Sequence, residues 1–325
     1  SYYEDKTNAL SLDQIREEKF TSYSGWLAKG YSPSTYWIKL NIRPSDQDLV
    51  LRIRPTFTET IQLFDAQDAN SKRVVGAKYP WRDSDIQSYN HSFKLGVLKQ
   101  EKEILLKVKS NRSYLLSFDV MSISEYLGSD HIDGLLYIGY IVFTFTLALG
   151  LLGAWLVNRE LVLGVFTIQQ FVAFLHTFFV VGYARIFLDR YIDVSTINYL
   201  NYVLVVSYPF IAILTNKLLL EEYGLKRTFG YLFNGLSFAS LIVISLLIFG
   251  YINDSLRFNA QLVMATIFMF FLTAWFGTLG GNNQKNINLP INILRIYYAL
   301  NLVMWSISVL PLLGVVQGKD LTMHS

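Results

Sequence analysis

The chain has 325 residues, 52% of them hydrophobic and 15% aromatic, which is too apolar for a wholly soluble protein and too long for one small domain. Its net charge of +3 comes from 28 Lys and Arg scattered among 25 Asp and Glu, so it lacks the basic stripe of a nucleic-acid binder. Cysteine is absent, which excludes disulfides, a thiol nucleophile and thiolate metal sites.

The composition divides in two. Up to about Glu125 charges are frequent and apolar runs short; from Gly134 onward the runs reach membrane-spanning length. The start SYYEDKTNAL lacks Met and the pattern of a signal peptide, so an external first half implies a leader already removed. SLDQIREEKF reads as a short helix, with Ser11 as cap and Leu12, Ile15 and Phe20 turned to a sheet.

GYSPSTYWIKLNI follows, alternating Tyr36, Ile38, Leu40 and Ile42 against Trp37, Lys39 and Asn41, the period of a half-buried strand. LVLRIR, TIQLFD, RVVGAKY, SFKLGV, EILLKVK and LLSFDVM continue the series between Pro, Asp, Asn and Gly turns. Leu49, Leu51 and Ile53, then Leu106 and Val108, then Leu116, Phe118 and Val120 are the inward residues. About seven such strands predict an all-β sandwich or jelly roll.

The ordered set YYEDKTNALSLDQIREEKF, GYSPSTYWIKLNI, LVLRIRPTFTETIQLFDA and EILLKVKSNRSYLLSFDV, over residues 1 to 122, resembles one family. It is similar to the second type of extracellular sensor domain (DISMED2) of the bacterial seven-transmembrane receptors with diverse intracellular signalling modules (7TMR-DISM). Lys39 stands where that family more often has Arg. The resemblance implies a jelly-roll sensor, like a carbohydrate-binding module, that takes a small periplasmic ligand such as a saccharide.

Sugars are recognised by aromatic faces flanked by hydrogen-bonding groups, and YPWRDSDIQSYNH gathers such residues. The candidate ligand contacts are therefore Tyr79, Trp81, Arg82, Tyr89 and His91, with Trp37 on the strand. The alternative has Trp81 and Tyr89 covering the sandwich edge and Trp37 in a core.

The expected organisation is a periplasmic sensor over residues 1–125, a linker over 126–133 and a transmembrane bundle over 134–325. Six apolar segments form that bundle: 134–157, 161–183, 197–220, 229–252, 259–280 and 289–314. Each is long enough to cross a hydrocarbon core of about 30 Å, and backbone in lipid must be helical. With the sensor outside, links 158–160, 221–227 and 281–288 fall in the cytoplasm, while 184–196 and 253–258 fall outside. Six crossings return the chain to the outer side, and the resemblance implies a seventh helix and a cytoplasmic module after Ser325.

Gln169, His176 and Asn201 are the intramembrane polar candidates, read either as hydrogen-bonded glue between helices or as the lining of a pocket. Pro209 and Pro311 are expected to kink their helices. Two sets of small residues at four-spacing, Thr146, Gly150 and Ala154, and Thr273, Gly277 and Gly281, suit close helix packing. Four scattered histidines give no metal-ligand spacing, and no phosphate loop or nucleophile elbow is present. No catalytic residue, metal or cofactor is therefore expected in these residues.

The resulting reading is a multi-pass receptor of the bacterial inner membrane, a homodimer in a lipid bilayer without nucleic acid. By the resemblance it controls a diguanylate cyclase or, second, a histidine kinase. The alternatives are a transporter with an accessory sugar-binding domain and a structural membrane protein.

Overall fold

The computed structural model describes residues 1–65, 72–278 and 290–315. Gly281, the link 281–288 and everything expected beyond residue 315 lie outside the described residues. Among the described residues, nine strands build the N-terminal domain: β1 (Tyr2–Asp5), β2 (Leu27–Gly30), β3 (Thr35–Ile42), β4 (Ser45–Arg54), β5 (Thr60–Asp65), β6 (Arg73–Val75), β7 (His91–Leu98), β8 (Lys102–Lys109) and β9 (Tyr114–Ser122). They form two antiparallel sheets ordered β1-β3-β8-β5-β6 and β2-β9-β4-β7. Most successive strands switch sheet, so neighbours in sequence face each other across the core.

The alternation in the sequence sets the packing. In the β3–β8 ladder Tyr36 pairs with Val108 and Ile38 with Leu106, and these join Leu51, Ile53, Ile61, Leu63, Phe93 and Leu116 between the sheets. Tyr114 spans this core, its hydroxyl donating to Ser34 O at 2.7 Å. Val120, expected inside, is exposed: it pairs with the core residue Leu51 on one side, but β2 pairs β9 only as far as Leu116 and leaves its other side open. β1 and β2 lie outside the expected series, because four-residue edge strands show too little alternation to be read.

Both outer faces are covered as well. The helix α1 (Leu12–Glu17) is held by a capping box in which Ser11 and Gln14 exchange hydrogen bonds. Its Ile15 packs on Trp37 and Leu105, the outward residues of β3 and β8. On the other sheet Arg52 is buried and donates to Ser129 Oγ at 2.7 Å. Ser129 belongs to α2 (Ile123–Asn158).

Residues 126–133, expected as a linker, are thus helical, and α2 runs unbroken for 36 residues. At about 1.5 Å per residue that is about 54 Å, well beyond the roughly 30 Å of hydrocarbon. The other long helices are α3 (Leu161–Val180), α5 (Val194–Glu222), α6 (Arg227–Ile248), α7 (Ile252–Leu272) and α8 (Ile291–Leu312), with a short α4 (Tyr183–Leu188) before α5. Among the described residues, six helices are long and apolar enough to cross a membrane. They turn large apolar groups outward, such as Leu136, Phe143, Val157, Phe238 and Ile248, as lipid-facing helices do.

The segment expected at 161–183 ends at Val180, and the link expected at 253–258 is already helical. A π-turn, Thr273–Gly277, extends α7, and any Cβ at Gly277 would lie 2.8 Å from the Phe229 ring, so only glycine permits that approach. Pro209 leaves the carbonyl four residues earlier without its helical donor, and Asn259 Nδ2 supplies one to Val205 O at 3.3 Å.

Two compact units emerge. One contains Ser1–Gly139 with Phe178–Leu200, the other Tyr140–Thr177 with Asn201–Leu313. The link around α4, expected on the outer side, therefore belongs to the same unit as the β-domain.

Candidate functional site

The loop after β6 carries the predicted ligand contacts. Gly76 opens it at φ +144°, where a Cβ would fall 2.2 Å from Glu59 O, so no other residue fits without moving backbone. The loop folds back on itself: Trp81 Nε1 donates to Ser88 O at 2.8 Å, and Asp85 accepts from Arg73 at 2.7 Å and from Lys94 N at 3.1 Å. These bonds fix Trp81, Arg82, Tyr89 and His91 on one side.

That side meets α4 and its flanks. Arg185 is 5% exposed; its Nη1 donates to Gly76 O at 2.8 Å and lies 3.5 Å from His91 Nδ1. Burial pushes the Arg185 guanidinium down to about 10, against the pull of Asp189. Burial first, and then the Arg185 charge, hold the His91 imidazole well below its ordinary range. His91 is therefore neutral, with Nδ1 as an acceptor toward Arg185.

Asp189, its side chain 2% exposed, accepts from Trp81 N at 3.2 Å and pairs with Arg82 at 3.4 Å. Thr56 Oγ1 donates to Val180 O at 2.8 Å, and Arg112 Nη2 to Asn198 Oδ1 at 3.4 Å.

A second grip reaches α2. Ser88 Oγ and Asn90 Nδ2 donate to Asp130 Oδ1 at 2.5 and 3.2 Å. Tyr89 meets Tyr137 edge-on at 5.6 Å and stacks on Tyr183 at 6.4 Å, while the Tyr183 hydroxyl donates to Gly134 O. Arg52 also bonds Asp119 at 3.2 Å, so β4, β9 and the first turns of α2 share one charged network.

The predicted contacts thus divide. Trp81, Arg82, Tyr89 and His91 converge on the outer link rather than lining an open sugar platform. Tyr79 is half-buried, its N–H donating to Gly76 O. Arg82, its side chain 50% exposed, and the half-buried Trp81 are the parts within reach of a ligand. Trp37 stands apart on the outer face of the β1-β3-β8-β5-β6 sheet, 1% exposed beneath α1 with Lys107 Nζ 4.9 Å from its ring centre, and presents no face to a ligand.

Arg185, Asp189, Asp130 and Tyr183 were not among the expected residues. The signal was GYARIFLDRYID, a link richer in aromatic and charged residues than a solvated turn needs. Among the intramembrane candidates, His176 stacks on Tyr208 at 5.7 Å. Gln169 lines a cavity beside Tyr208, and Asn201 is buried on α5.

Residues 1–122 match the family model described as 7TMR-DISM extracellular 2. No curated protein matches the chain.

Proposed function

We propose, from the premise that residues 1–122 are an extracellular domain of the 7TMR-DISM family, how this receptor passes its signal. The chain is a transmembrane receptor, multi-pass, with its N-terminal domain outside. The ligand is a small periplasmic molecule, with saccharides the first class to try. It binds at the loop 77–90, where Tyr79, Trp81 and Arg82 offer aromatic surface and hydrogen-bonding groups.

The observation that carries this reading is the hold of that loop on α4. Arg82 is shared between solvent and the nearly buried Asp189. A ligand that takes the Arg82 guanidinium breaks its pair with Asp189, and one that shifts the Trp81 backbone breaks the other bond. Unequal affinity for the latched and released arrangements then shifts their balance, for which a few kcal/mol is enough.

The membrane is the bacterial inner membrane, and the output is a cytoplasmic diguanylate cyclase, with a histidine kinase second. Both modules work in pairs, which makes the receptor a homodimer. The small residues Thr146, Gly150 and Ala154 on α2 offer a face for it, since Gly150 meets no neighbour within 4 Å.

Hydrogen exchange on the full chain in lipid nanodiscs, with and without a panel of mono- and disaccharides, tests this. A binding sugar is expected to protect the loop 77–90 and to change exchange in 181–193 together. In Arg185→Met, loop protection persists while the change in 181–193 is lost. Silence across the panel overturns the saccharide; protection confined to the loop in the wild type overturns the latch.

A further inference from the structure

Within the helical unit, α3, α5, α7 and α8 surround a cavity of about 80 Å³. Its wall is aromatic, with Tyr208, Phe270, Tyr298 and Trp305, but two oxygens on residues lining it have no partner. Gln169 Oε1 comes from α3 and Thr266 Oγ1 from α7, on residues 8% and 3% exposed.

Other threonines show how unusual Thr266 is. Thr167, Thr177, Thr215 and Thr273 each donate their hydroxyl to the carbonyl four residues earlier, the ordinary way for an apolar helix to carry a threonine. Thr266 does not. The opposite corner of the cavity is satisfied: the Tyr298 hydroxyl donates to Asn216 Oδ1 at 2.7 Å, and Asn216 Nδ2 donates to Ala212 O. A lone carbonyl and a lone hydroxyl buried in a helical membrane bundle are each costly to leave without a partner.

We infer that this cavity is a binding site for the hydroxyl end of a small lipophilic alcohol taken from the hydrocarbon phase. The chemistry selects that group. Gln169 Oε1 needs a donor, and Thr266 is served by an acceptor; a hydroxyl is the smallest group that is both. A carboxylate gives Gln169 Oε1 no proton. An ammonium would bring a charge, and no lining residue is acidic.

Size agrees with a head rather than a ring, since benzene fills an apolar cavity of about 150 Å³. Tyr297 lines the cavity and is also exposed on α8, so the space reaches the surface of the unit, where an alkyl chain continues into lipid. The site is separate from the loop around Trp81 and stands whether or not a saccharide binds there.

The test is photolabelling of the full chain in nanodiscs with 1-octanol carrying a diazirine, mapped by peptide mass spectrometry. Saturable labelling of the α5, α7 and α8 segments lining the cavity is expected. It should be competed by 1-hexanol and not by dipropyl ether, which has no donor. Gln169→Leu should weaken apparent affinity about tenfold, the loss of one buried hydrogen bond. Ala212→Leu, which adds bulk at a lining residue and leaves Gln169 and Thr266 in place, should abolish labelling, so a misfolded Gln169 variant leaves the question decidable. Even, unsaturable labelling of lipid-facing residues overturns the site. Equal competition by the ether overturns the role of the hydroxyl, and an unlabelled cavity holding ordered water overturns the ligand, since about 10–15 Å³ suffices for each water molecule.

Discussion

His91 and Arg185 meet 3.5 Å apart with both side chains buried, so a second positive charge has no room there. Freed from this packing, His91 takes up a proton near its ordinary value of 6.5; in place, it resists. The packed state therefore binds fewer protons, and its stability is complete above about pH 6.5 and lost as pH falls toward the lowered value. The slope is at most about 1.4 kcal/mol per pH unit. Thermal unfolding of the full chain should show a transition temperature that drops between pH 7 and 5, with a smaller drop in His91→Gln. An unchanged slope in that variant refutes the role of His91. Trp81, Arg82, Tyr89 and His91 were legible as a cluster because they crowd into one loop. Their partner was not, because Arg185 lies 94 residues from His91 and no local period reports a contact across that distance.

At the level of elements, the strands were legible wherever period two ran over six residues or more, as in β3 and β8. α4 has six residues, fewer than two helical turns, and apolar runs on both sides concealed it. YLGSDHID, residues 126–133, read as a linker between the sensor and the first apolar segment; its polar residues instead serve the β-domain, through Ser129 to Arg52 and Asp130 to Ser88. It also contains no proline to stop a helix. A register test follows. One alanine inserted after Leu127 turns the residues beyond it by about 100°, taking Ser129 and Asp130 off their partners. Ligand binding at the loop should survive while exchange protection of residues 123–133 falls. Protection equal to wild type would mean these contacts do not hold the first turns of α2.

At the scale of the molecule, an exposed β-domain and lipid-facing helices were legible in composition alone, because water and hydrocarbon select opposite surfaces. Topology was harder, since basic residues are distributed almost evenly between the two sets of links. The packing of 178–200 with the β-domain supplies what charge does not. The natural lack of cysteine gives a clean background for single reporters. Arg190→Cys is expected to react with a membrane-impermeant maleimide added to intact spheroplasts, and Lys226→Cys only after permeabilisation. The reverse pattern would refute the assignment of the link around α4 to the outer side.

The fifteen or so residues from Gly76 to His91 hold Asp130 on α2 with one set of bonds and Arg185 and Asp189 on α4 with another. That short stretch therefore ties together two segments, the first turns of α2 and the link around α4, that are far apart in the chain. A variant that keeps the bonds to Asp130 but loses those to Arg185 and Asp189 is therefore expected to retain exchange protection in 123–133 and to lose it in 181–193.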